Sequence, residues 1–232
     1  MAILRAMDKR NVKLNPDIES YVNRILQEDE ISYTTVPIKK IQTEAQSDRI
    51  VKEIIQRLAS SQDYEEELSY ILSELVINFL IHGQSPATVY CQVYPNIDEI
   101  EIGVVDRGLG FLKTISRVRK VETHKDALKE AVKKGVSGYA KMVYSSAVKH
   151  AGMGLYIISE ILKDCEGLMY MISGNALYDV VSGKTLECDF NWDGSIVYIR
   201  LCRDKFKRKV SDYGIGLYIS MKLSTQEDED VF

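Results

Sequence analysis

The sequence predicts an α+β protein, a two-layer sandwich with a mixed β-sheet and helices on one face. Two observations predict it. Helical apolar spacing fills residues 43–83, strand-like runs follow over 88–105, one more helical run covers 152–163, and strand-like runs return over 168–202. Glycine-containing breaks separate the strand-like runs, with Gly174 and then Ser182–Gly183–Lys184 punctuating the last of them.

Each element has a local reason. Residues 1–30 are polar and mixed, and Pro16 before DIESYVNRILQE predicts a short helix. Residues 32–40, SYTTVPIKK, favour a strand, but Pro37 lacks an amide donor and confines it to a sheet edge or a lead-in. Ile50, Ile54 and Leu58 recur at helical spacing. So do Leu68, Ile71, Leu72, Leu75, Val76 and Phe79, with Gly83 as the stop. Residues 88–94 and 99–105 predict adjacent strands joined at PNIDE. Residues 107–151 are basic and loop-like, with a helix around 125–134, and three short strands are expected over 168–172, 176–181 and 196–202. This arrangement divides the chain into an N-terminal extension (1–31), a central domain (32–202) and a C-terminal extension or tail (203–232).

Bulk composition narrows the function. The 232 residues are 45% hydrophobic, enough for a sizeable core. A net charge of -4 offers no electrostatic footprint for nucleic acid. No apolar run reaches the roughly 18 residues a membrane helix needs, and MAILRAMDKRNVKLN holds no secretory apolar stretch, so a cytoplasmic location without membrane association is expected. The four cysteines are widely spaced and form no CxxC pair, and the three histidines sit at no zinc-like spacing, so reduced thiols and no transition-metal site are expected.

Three motifs carry chemistry. Glu74 and Asn78 lie four residues apart, hence on one helix face; a carboxylate there can orient a nucleophile and an amide oxygen can ligate Mg²⁺. Asp106 in DRGLGF follows the run EIEIGVV, where a carboxylate at a strand end can accept a hydrogen bond, while Gly108 and Gly110 allow backbone to approach a ligand. Gly152 and Gly154 in GMGLYI open a helix whose amides can seat a phosphate. Taken singly, each is also what an amphipathic helix, a strand-ending turn or a chance GxG shows.

In this order, ExxxN, then DxGxG, then GxGL resembles the N, G1 and G2 boxes of the GHKL (histidine kinase-like, Bergerat-fold) ATPases, over about residues 32–202. In style it is similar to the stand-alone anti-sigma factor kinases. The resemblance implies ATP and Mg²⁺ as ligands, Asn78 on the metal, Glu74 as base or water-positioning residue, Asp106 reading adenine, and the four glycines shaping the pocket. It also implies an ATP lid over 111–151 and an adenine-side hydroxyl. Ser195 after Gly194 supplies the hydroxyl where the family often has threonine. His82 reads as a polar helix end, and Lys133, Lys134, Ser137 and His150 fall in the lid as solvated polar groups or phosphate contacts. The later YGIGLYIS (213–220) echoes the third box but leaves no room for the strands that must follow; a decorating strand or tail element is expected there.

The implied function is a regulatory protein that hydrolyses ATP or phosphorylates a protein partner. The alternatives are a non-catalytic nucleotide-sensing module and a detached histidine kinase catalytic domain, although no phosphoacceptor helix is visible for the latter. Oligomeric state is left open, a homodimer included.

Overall fold

A computed structural model describes residues 35–58, 64–136 and 152–224. The helix expected after Pro16 lies outside them, as do Ser137 and His150.

The chain begins with strand β1 (Thr35–Ile41) and helices α1 (Glu44–Leu58) and α2 (Glu65–Ile77). A π-helical turn over Asn78–His82 extends α2. Strands β2 (Ala87–Tyr94) and β3 (Glu99–Val105) follow, then short helices α3 (Gly110–Ile115) and α4 (His124–Ala131), then α5 (Gly154–Asp164). Strands β4 (Leu168–Asp179) and β5 (Lys184–Cys202) form a long hairpin, and α6 (Arg203–Phe206) and α7 (Ile215–Ser224) close the described chain.

The strands form one sheet in the order β1-β2-β3-β5-β4. The sequence suggested a mixed sheet; the four pairings are all antiparallel. Register explains the core. Val89 pairs with Val104 and Cys91 with Ile102 across β2 and β3, while Ile102 and Met169 both pair with Ile199. Side chains alternate between faces, so this register gathers the apolar set on one side. There they form a single core with Ile54 of α1, Leu68, Ile71, Leu72 and Leu75 of α2, and Ile157 and Ile161 of α5. The α+β sandwich is therefore observed.

β1 lies at the sheet edge, with its register shifting between Val36 and Lys39 around Pro37, which has no N–H for the ladder. Three expected strands are two: β4 runs through Gly174 with a register shift, and β5 takes in the polar stretch 184–195 as well. Cross-strand pairing holds that stretch extended although its own alternation is weak. Residues 111–136, part of the expected lid, carry the short helices α3 and α4 and are packed, with Ile115, Ala127, Leu128 and Ala131 in the core. The described part of the expected tail, residues 203–224, holds helices and not the decorating strand expected over 213–220, and Phe206, Val210, Tyr218 and Ile219 join the same core. Among the described residues no helix is long and apolar enough to cross a membrane.

Candidate functional site

α2 brings the first two motifs together. Its C-terminal end delivers Gly83 against the loop that follows β3. A Cβ on Gly83 would lie 3.4 Å from the Asp106 carboxyl, and one on Gly108 would meet the Gly83 carbonyl oxygen at 2.0 Å. Leu109 N–H donates to that same carbonyl at 2.9 Å. The glycines are needed here because two backbones touch.

Asp106 is 3% exposed. Its Oδ1 accepts from the Gly108 N–H, whereas Oδ2 is buried with no hydrogen-bond partner. Burial pushes the carboxyl from 3.8 up to about 6, with the Gly108 N–H and Ser195 pulling it part of the way back. Buried polar atoms are nearly always satisfied, so an orphan carboxylate oxygen marks a place where a donor belongs.

β5 and β4 fasten this loop from below. The Asp106 N–H donates to the Ser195 carbonyl at 2.9 Å, and Trp192 Nε1 donates to the Asp106 carbonyl at 3.1 Å. The Arg107 guanidinium stacks 3.5 Å from the centroid of the Trp192 ring. Gly194 has φ +109, and a Cβ there would meet the Asp106 carbonyl oxygen at 2.4 Å. Ser173 Oγ accepts from the Phe111 N–H at 3.0 Å and donates to the Gly194 carbonyl at 2.8 Å, and Gly110 lies so close that a Cβ would meet this oxygen at 2.7 Å. Ser173 carries no motif that would single it out; Trp192 is the chain's one tryptophan, and only that rarity could have drawn attention to it.

The other end of the site lies one helix away. A Cβ on Gly154, the first residue of α5, would fall 2.0 Å from Glu74 Oε2, so the carboxylate sits against the opening turn of that helix. Burial raises the Glu74 carboxyl above its usual value. Tyr70, one turn earlier on α2, has a hydroxyl buried without a partner, and burial and the Glu74 charge raise its phenol strongly. The motif reading missed Tyr70, although its spacing of four from Glu74 was there to be seen. Asn78 is half-buried and begins the π-helical turn, so it continues from Glu74 along α2. Gly152 packs on the backbone of Gly135 and Val136.

Other candidates have other partners. His82 is half-buried, and burial and then Arg117 lower its pKa. Lys134 donates to the Leu223 carbonyl at 2.9 Å, and Lys133 pairs with Glu130. His124 is packed on Gly174 of β4. Among the described residues no three His, Cys, Asp or Glu side chains gather at metal-binding distance. An open cleft of about 510 Å³ runs between Gln42 and Thr43 on one side and Gln84, Ser85 and Pro86 on the other, and none of the expected site residues lines it.

No protein-family model matches this chain, and no curated protein matches it.

Proposed function

We propose that this chain binds an adenine nucleotide with Mg²⁺ in the GHKL manner and is a regulatory protein, active in the cytoplasm, that hydrolyses ATP or phosphorylates a protein partner. One observation carries the reading: Asp106, with a buried unsatisfied oxygen, lies against Gly83 at the end of the π-helical turn, and Glu74, seated on the first turn of α5, lies on the last turn of α2 just before it. Glu74 and Gly83 are nine residues apart, along the last turn of α2 and the π-helical turn that extends it.

The residues fit such a ligand. Asp106 Oδ2 is an acceptor in search of a donor, and an adenine amino group is one. Gly154 puts backbone amides at a helix start, with the Glu74 carboxylate seated where a Cβ would otherwise stand. Asn78 would hold the metal and Ser195 would flank the base. Bound ATP would supply a transferable phosphoryl group. Glu74 is suited to accept a proton, since burial brings its carboxyl closer to neutral pH.

Thermal melting tests the binding reading. Mg²⁺-ATP should raise Tm, because a ligand that binds only the folded chain stabilises it, while GTP should not. No shift at saturating ATP, or an equal shift with GTP, refutes it. Incubation with γ-labelled ATP and candidate partner proteins then separates transfer to protein from release of phosphate. Neither product, with the true partner present, would leave a nucleotide sensor.

A further inference from the structure

The C-terminal helix α7 is apolar on both faces. Tyr218 and Ile219 are buried in the core, with Ile215 and Leu223 packed beside them. Its one charged side chain, Lys222, pairs with Glu160 at 3.4 Å and Asp164 at 2.8 Å on α5. The opposite face should then be polar, as it is on α1, where Glu44, Asp48, Arg49 and Lys52 are exposed. It is not. Leu217 is 55% exposed and Met221 47%, with Tyr213 at 54% just ahead of the first turn. Three of the six exposed large hydrophobic residues of the described chain fall within this short stretch. The rest of the exposed face is Gly216, Ser220 and Ser224.

We infer that this face is the interface through which two copies of the chain pair, α7 against α7 and antiparallel. The face complements itself. Leu217 and Met221, four apart, form a ridge, and Gly216, Ser220 and Ser224, also four apart, form a shallow groove beside it. Ridges of this spacing on one helix pack into the matching groove of another, and a two-fold interface needs one surface that fits itself.

Charge selects the same partner and direction. The chain runs on from Ser224 for eight residues, TQEDEDVF, with Glu227, Asp228, Glu229 and Asp230 in a row. The turn ahead of α7 carries Lys207, Arg208 and Lys209 against one exposed acid, Asp212, and of its exposed cations Arg208 pairs with Asp204 while Lys209 stands beside it. In sequence the basic turn precedes this 10-residue helix and the acidic run follows it. In an antiparallel pair, the C-terminal end of each α7, which the acidic run follows in sequence, lies beside the basic turn and the positive helix N-terminus of the other, twice over. This inference does not depend on the nucleotide reading.

Sedimentation velocity on the full chain tests it. Wild type should form a reversible dimer that weakens as salt rises. Leu217→Glu, which puts a charge in the apolar seam, should raise the dimer dissociation constant by about tenfold or more. Gly216→Leu should do the same by filling the groove; nothing lies within 4 Å of its Cβ position, so the fold has room for it. Both variants should keep the wild-type circular dichroism and Tm of the dissociated chain. Removing residues 225–232 should weaken the dimer and flatten its salt dependence. A wild type that stays monomeric up to about 100 µM overturns the inference, whether its face then takes another protein or a segment of its own chain. So do variants that dimerise as wild type does.

Discussion

Replacing Asp106 by asparagine should stabilise the empty protein and cripple its ligand binding, two effects with one cause. Burial lifts the Asp106 carboxyl from 3.8 to about 6. At neutral pH, ionising it in the fold therefore costs about 3 kcal/mol more than in the unfolded chain, at about 1.4 kcal/mol per unit. The sign follows from linkage. A carboxyl with a raised folded pKa favours the fold fully below 3.8, and that contribution is lost as pH rises through about 6. The substituted amide never ionises and escapes the loss, but its nitrogen at the orphan Oδ2 position would lack an acceptor, which costs roughly 1–2 kcal/mol. The net gain near neutrality is about 1–2 kcal/mol, or roughly 2–8 °C in Tm for a domain of this size. Melting curves of Asp106→Asn and wild type from about pH 4 to about pH 7.5 should separate progressively and then run parallel above the folded pKa. Adenine nucleotide affinity should fall by roughly ten- to a hundredfold, as a charged acceptor becomes a neutral one. A difference in stability that does not change with pH, or a variant less stable than wild type at neutral pH, would refute the picture of a strained buried anion.

Other variants probe the rest of the site. Glu74→Ala should leave nucleotide affinity intact and lower turnover by roughly a hundred- to ten-thousandfold, while Asn78→Ala should weaken Mg²⁺-dependent binding; isothermal titration beside a phosphate-release assay reads both, and equal losses of binding would contradict the division of roles. Gly154→Ala and Gly108→Ala should differ sharply in stability. The new methyl meets the mobile end of Glu74 in the first case and the Gly83 carbonyl at 2.0 Å in the second, so only Gly108→Ala should lower Tm severely, and similar melting of the two would refute the packing described. Tyr70→Phe removes a buried hydroxyl with no partner, so the empty protein should gain up to about 1 kcal/mol in urea unfolding. A clear loss would mean the hydroxyl has a partner there.

Much of the architecture was readable in the sequence because it rests on local chemistry. The period of α1, α2 and α5 follows from which side chains avoid water, and Pro37 confines β1 to the edge because it has no hydrogen to donate. The junction of β3 with Asp106 and the start of α5 at Gly154 were equally legible, since both fall where the apolar period breaks beside glycine. Tertiary structure alone decided the remainder. Polar residues 184–195 are strand because β4 pairs with them, not through any preference of their own. The 203–224 segment could be taken for a tail until Phe206 and Tyr218 are found in the core, since a period of apolar side chains says that a face is covered but not by what. Glu74 touches Gly154 across eighty residues of chain, and Trp192 and Ser173 fasten a loop some sixty to ninety residues before them in sequence. Those contacts exist only once the sheet has brought its strands side by side. The antiparallel order of that sheet is likewise set by long-range register, to which the alternation within any one strand is blind.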